Sequence, residues 1–182
     1  SNNCTQSITV QDTTRPAISC PVDVTINCEA DNLPTSTGVA TATDNCTNVV
    51  TNITYNDIRT SGSCNDNYSL ARTWTAVDSC GNSNNCTQSI TVQDTTRPVI
   101  NCPVDVTINC EADNLPTSTG VATATDNCTD LVTNISYNDI RTSGSCNDNY
   151  SLARTWTAID SCGNSNNCTQ SITVQDTTRP AI

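Results

Sequence analysis

The chain has 182 residues, with seven Arg, no Lys and no His set against sixteen Asp and two Glu, for a formal charge of -11. So acidic a surface argues against nucleic acid or anionic membrane as partners, since both need a basic face. Without His or Lys the commonest general bases, the Ser-His triad and the Lys Schiff base are lost, so no enzyme is expected. Thirteen cysteines point to a disulfide scaffold in an oxidising, extracellular or cell-surface setting. No apolar run approaches the ~18 residues of a membrane-crossing helix, so no membrane insertion is expected.

The sequence is a tandem repeat. The string TVQDTTRP recurs at 9–16, 91–98 and 173–180, a shift of 82 each time. Segments 17–98 and 99–180 are identical at 76 of 82 positions, and differ only at Ala17/Val99, Ser19/Asn101, Asn48/Asp130, Val49/Leu131, Thr54/Ser136 and Val77/Ile159. Residues 1–16 repeat 83–98 without a change. The expected organisation is therefore the closing strand and linker of a preceding unit (1–16), repeat 1 (17–98), repeat 2 (99–180) and the start of another (181–182).

In chain order, each unit reads as a series of short strands. Strand A is expected at 21–28, where Val22, Val24 and Ile26 alternate with polar residues. A turn over Asn32-Leu33-Pro34 to Gly38 leads to strand B at 38–44. Strand C is expected at 49–57, a weak D/E element at 58–64, strand F at 68–78 and strand G at 86–93. Abundant Thr, Val, Ile and Tyr favour strands over helices. Six or seven short strands in 82 residues give an all-β class, tandem immunoglobulin-like sandwiches strung as beads.

Cys20-Pro21-x-Asp23, Ala42-Thr43-Asp44-Asn45, Arg72-Thr73-Trp74-Thr75-Ala76-x-Asp78-x-x-Gly81-Asn82 and a late Cys86 occur in this order. The set resembles the hyalin repeat (HYR), an immunoglobulin-like domain of extracellular adhesion proteins and bacterial surface arrays. Six cysteines per unit depart from that family's more usual pair, and the resemblance brings no catalytic residues. Cys20 with Cys86 matches the family's pair. In an immunoglobulin-like chain path, Cys46 then falls to Cys80 and Cys28 to Cys64, and the second repeat follows with Cys102–Cys168, Cys128–Cys162 and Cys110–Cys146. Cys80–Cys86 is the main competing bridge. Cys4 corresponds to Cys86 and is left unpaired within the segment, its partner lying in the remainder of its own unit or in another chain. The spacings do not suit zinc, for no CxxC is present. An ~80-residue unit with one Trp and no Phe has a small core, and each bridge would add ~2–4 kcal/mol.

Asp12 in the linker, Asp44 with Asn45 after strand B, and Asp78 after strand F are expected at one pole of the unit, as are Asp94, Asp126, Asn127 and Asp160 in the next. Two readings compete. Crowded carboxylates could hold Ca²⁺ at repeat junctions, with Asn45, Asn82 and backbone carbonyls filling its remaining positions, or each Asp could cap a turn through backbone N–H groups. Sequons place possible N-glycans at Asn52, Asn67, Asn134 and Asn149, and the Asp-Thr-Thr linkers offer Thr13, Thr95 and Thr177 for O-glycans. Trp74, Tyr55 and Tyr68 read as packing residues, with Arg72 stacked on the ring or paired with an Asp.

The expected function is a structural segment of an extracellular fibre whose partners are other copies of itself, in a head-to-tail array or by strand exchange at the edges formed by strands A and G. The alternative is the stalk of a cell-surface adhesin.

Overall fold

The computed structural model describes residues 2–46, 50, 52–128, 132 and 134–179. The chain forms two compact units, Ser1–Gly62 with Tyr68–Gln93, and Ser63–Asn67 with Asp94–Ile182. The loop Ser63–Asn67 lies within the 82-residue period of the first repeat but belongs to the second unit. The expected start of a further repeat at 181–182 lies outside the described residues.

In the first unit, β1 (Ala17–Ser19) pairs antiparallel with β3 (Thr41–Thr43) in a two-stranded sheet. The larger sheet has the order β2 (Val24–Asn27), β6 (Ser83–Gln93), β5 (Tyr68–Val77), β4 (Asn52–Ser61). β2 runs parallel to β6, with Val24 opposite Ile90, while β4, β5 and β6 are antiparallel. A single turn of helix, α1 (Pro34–Thr37), crosses between β2 and β3 in the chain. The second unit repeats this order in β7 (Val99–Asn101), β8 (Val106–Asn109), α2 (Pro116–Thr119), β9 (Thr123–Thr125), β10 (Asn134–Ser143), β11 (Tyr150–Ile159) and β12 (Ser165–Gln175). The fold is thus all-β, a tandem of immunoglobulin-like sandwiches.

Four details differ from the sequence reading. Of expected strand A (21–28) only β2 forms, and a strand the sequence reading did not expect, β1, precedes it in the other sheet, with Cys20 and Pro21 between the two. Expected strands C and D/E are one strand, β4, whose Arg59, Thr60 and Ser61 continue the pairing to Leu70, Ser69 and Tyr68. Residues 49 and 51 of the expected strand C lie outside the described residues. The Asn32–Gly38 turn contains α1, started by Pro34, whose fixed φ suits the first helical position. It is closed by Gly38 at φ 103°. Finally, β6 is interior to its sheet and the edges are β2 and β4, so the G strand is not an open edge.

The alternation of β5 sets the core. Leu70, Arg72, Trp74 and Ala76 turn inward, as do Gln88, Ile90 and Val92 of β6. Leu70, Ile90 and Val92 form an apolar cluster with Val24, Ile26, Cys28 and Tyr68 against it. With no Phe available, the rest of the inner face combines Trp74 and Ala76 with two buried polar side chains, Arg72 and Gln88, that are held by hydrogen bonds, although Gln88 Oε1 and Trp74 Nε1 are buried without a partner. Arg72, wholly buried, donates to both oxygens of Asp57 at 2.8 Å, to Thr37 Oγ1 at 2.9 Å and to the Asn32 carbonyl at 2.8 Å. The amide nitrogen of buried Gln88 donates to the carbonyls of Val22 (2.9 Å) and Thr37 (2.7 Å). These contacts fasten α1 and the chain on either side of it to the large sheet. Arg154, Asp139, Thr119 and Gln170 do the same in the second unit.

Candidate functional site

Two kinds of chemistry-bearing group gather at the strand ends: carboxylates and thiols. In the second unit the carboxylates of Asp94, Asp126 and Asp160 lie within 4.8 Å of one another. Asp94 and Asp160 are buried, and Asp126 is half-buried. Each spends one oxygen on a turn. Asp94 accepts from Thr96 N (3.0 Å), Asp126 from Cys128 N (3.3 Å), and Asp160 from both Cys162 N (2.9 Å) and Asn164 N (2.8 Å). The other oxygens of Asp126 (Oδ1) and Asp160 (Oδ2) are buried without a hydrogen-bond partner. Asn164 Nδ2 fixes the incoming linker by donating to the Asp94 carbonyl at 3.2 Å. Burial first, then the like charges of Asp126, Asp160 and Asp66, push the Asp94 carboxyl up, against a pull downward from the Thr96 N–H.

The first unit is similar but not the same. Asp12, Asp44 and Cys46 bring one ligand atom each within 4.8 Å, with Asp12 Oδ2 and Asp44 Oδ1 buried and unpartnered. Asp78 stands apart from this trio. Its Oδ1 accepts from Cys80 N and Asn82 N at 2.8 Å and its Oδ2 from Asn82 Nδ2 at 2.9 Å. Burial pushes the Asp78 carboxyl up, but the side-chain and backbone hydrogen bonds of Asn82, with those of Cys80 and Gly81, outweigh it and hold the group low. Desolvation, then Asp12 and Asp44, push the Cys46 thiol up. Asn45 and Asn127 are exposed beside Asp44 and Asp126 in the chain. Asn82, expected beside the carboxylates as a calcium ligand, instead donates its Nδ2 to the Asp12 carbonyl and to Asp78 Oδ2. Cys46 as a neighbour of the carboxylates and Asn164 as a linker clamp were not singled out by the sequence. The signal for the clamps was present in the Asp-x-x-x-Asn spacing of 78–82 and 160–164.

The cysteines follow the expected pairing at two bridges and depart from it at the others. Cys20 is joined to Cys86 and Cys102 to Cys168, each across 66 residues. Cys64 is joined to Cys162 rather than to Cys28, and Cys162 therefore is not joined to Cys128. Cys28 and Cys128 are each disulfide-bonded. Cys46, Cys80, Cys110 and Cys146, expected as the pairs 46–80 and 110–146, carry free thiols, as does Cys4. The physical reason lies in the loop bearing Cys64, which packs in the second unit and so meets a cysteine 98 positions away.

No family model and no curated protein matches the chain. Among solved structures it is similar to the protocadherin PcdhgB3 EC1-4, with 17% identity over 88% of this chain and a TM-score of 0.34. It is also similar to Protocadherin Gamma C5 EC1-3, at 16% identity over 88% of this chain and 68% of that one, again with a TM-score of 0.34. The chain spans about half, 50%, of the length of the PcdhgB3 fragment. Superpositions that loose lend nothing to the reading of this chain, whose fold rests on its own strand order.

The sites named for sugars differ in their surroundings. Thr13, Thr95 and Thr177 are exposed on the linkers, and Asn52 and Asn134 are exposed at the starts of β4 and β10. Asn67 and Asn149 instead have structural duties, their Oδ1 atoms accepting from Asp94 N (2.7 Å) and Asp176 N (2.6 Å). Among the described residues, no helix is long and apolar enough to cross a membrane.

Proposed function

We propose that the chain is a segment of an extracellular fibre in which near-identical β-sandwich repeats, stapled by disulfides, carry load in series. The observation that carries this reading is the Cys64–Cys162 bond, which ties a loop of one repeat to the repeat that follows it in the chain. A covalent tie of that kind serves continuity along the array and has no use in a solitary module. Eight bonded cysteines suit an exported, oxidising setting, and a formal charge of -11 keeps the surface hydrated and opposes lateral clumping.

Calcium is part of this proposal. Asp94, Asp126 and Asp160 are the residues that would hold it, with Asp12 and Asp44 in the first unit. The buried, unpartnered oxygens of Asp12, Asp44, Asp126 and Asp160 support the reading, since a carboxylate oxygen out of water needs a proton, a donor or a cation. The turn bonds use only one oxygen of each residue, as they do for Asp12, which accepts from Thr14 N at 3.0 Å, and Asp44, which accepts from Cys46 N at 3.2 Å, so turn capping and cation binding are compatible.

Electron microscopy of purified material carrying this chain tests the function. Continuous periodic filaments are expected. Discrete single chains ending in a larger head would support the adhesin stalk instead and overturn the fibre.

A further inference from the structure

Four of the free thiols are not scattered. Each is the 82-residue counterpart of a bonded cysteine: Cys146 of Cys64, Cys80 of Cys162, Cys110 of Cys28 and Cys46 of Cys128. For the Cys64–Cys162 bond the rule is explicit: Cys64 bonds not to Cys80 of its own repeat but to the residue 82 positions beyond Cys80. Moved by one period, the same bond would need a partner for Cys146 in a following repeat and a partner for Cys80 in a preceding one.

Both free thiols are held as their bonded counterparts are. The loop of Cys64 is closed by Asn67 N donating to the Cys64 carbonyl (3.2 Å) and Asn67 Nδ2 donating to Ser63 Oγ (3.1 Å). The loop of Cys146 is closed by Asn149 N to the Cys146 carbonyl (3.1 Å) and Asn149 Nδ2 to Ser145 Oγ (3.4 Å). Likewise Cys80 N donates to Asp78 Oδ1 at 2.8 Å, and bonded Cys162 N to Asp160 Oδ1 at 2.9 Å. Cys80 and Cys146 are exposed. A hollow of about 470 Å³ opens beside the Cys146 loop, lined by Ser143, Gly144, Asn149, Tyr150, Val174 and Thr177 among others.

We propose that Cys146 and Cys80 are the two open halves of a disulfide between successive repeats, and that each takes a further copy of this same repeat as its covalent partner. The inference rests on the serial-repeat reading above and adds to it a covalent rule for which copy bonds to which. The chemistry is thiol–disulfide exchange. Two cysteine thiols give up two protons and two electrons, a disulfide such as oxidised glutathione accepts them, and one S–S bond forms as two glutathione thiols are released.

The test lengthens the full chain by one further 82-residue repeat after position 180, folds both chains in a glutathione couple, alkylates free thiols and maps peptides without reduction. In the original chain Cys146 is expected to be alkylated. In the lengthened chain its alkylation should fall at least tenfold, with Cys146 linked to the added repeat's counterpart of Cys162 and Cys80 still alkylated. Peptides linked through Cys20–Cys86 and Cys102–Cys168 report that the sandwiches have formed. Persistent alkylation of Cys146, or a Cys110–Cys146 bridge within its own repeat, would overturn the inference. If the lengthened chain does not fold, the original chain is oxidised at high concentration. Cross-links from Cys146 to Cys80 of a second copy support the pairing, while Cys146–Cys146 links or glutathione adducts alone overturn it. Periodic filaments with Cys146 unbonded would leave the proposed function standing and end this inference only.

Discussion

Arg72→Ala removes the centre of the polar half of the core. The guanidinium is 1% exposed and holds Asp57, 27% exposed, through two bonds of 2.8 Å, while also bonding Thr37 Oγ1 and the Asn32 carbonyl. Breaking one side of a buried ion pair costs about 3–5 kcal/mol. Asp57 can recover some water through its exposed quarter, which sets the expected loss near the lower end, about 3 kcal/mol. Asp57→Ala leaves a buried cation with only neutral acceptors and should cost about as much. The double variant should lose less than the sum by about 1–2 kcal/mol, because the orphaned partner is gone too. Native-state hydrogen exchange on the whole chain reads this directly, with the second unit as internal standard. Amide protection in β4, β5 and β6 should fall by a factor of roughly 10², while that of β10, β11 and β12 stays put. A change below tenfold in β5, or additive single variants, would refute the idea that this ion pair organises the core.

Gly38→Ala should destabilise the first unit by ~1–3 kcal/mol, since the residue has φ 103° and its new Cβ would sit 2.8 Å from Pro21 Cβ; a melting temperature unchanged within error would contradict this. In the metal-free chain, Asp94 and Asp78 should titrate on opposite sides of the ordinary aspartate range, Asp94 above and Asp78 below, in carboxyl-resolved NMR. The signs then differ. The Asp94 contribution is present below its unfolded value and lost as pH rises through its folded one, whereas the Asp78 contribution is present above its unfolded value and lost as pH falls through its folded one. Calcium at a hundredfold excess over its dissociation constant should stabilise the second unit by about 2.7 kcal/mol, and Asp126→Asn should remove most of that gain; a chain indifferent to calcium and to chelator refutes the cation site.

Much of the architecture was legible because the hydrophobic alternation of 68–77 and 83–93 has the period of a strand facing a core. Arg72 shared that alternation, in phase with Leu70, Trp74 and Ala76, so its burial was readable although its partner Asp57, fifteen residues away, was not. The short α1 was hidden because one turn of helix between Pro34 and Gly38 has the same residues as an open turn. The carboxylates were found by their place at strand ends, but the difference between Asp78 and Asp160 depends on where each second oxygen points. Cys20–Cys86 and Cys102–Cys168 were legible, but the remaining cysteine pairs were misjudged for a definite reason. Pairing by strand ends assumes that each unit closes on itself, and the loop Ser63–Asn67 breaks that assumption by packing with the sequence that follows.

The central claim is that the cross-linked sandwiches carry tension along the chain, and stretching a single oxidised molecule from its two termini tests it most directly. Cys20–Cys86 and Cys102–Cys168 each lock 66 residues out of the load path. At ~3.4 Å per extended residue, reduction should therefore add on the order of 450 Å to the length reached under force. The account predicts a short, abruptly stiffening oxidised chain that gains this length only with reductant; an oxidised chain that extends as far as the reduced one would contradict it.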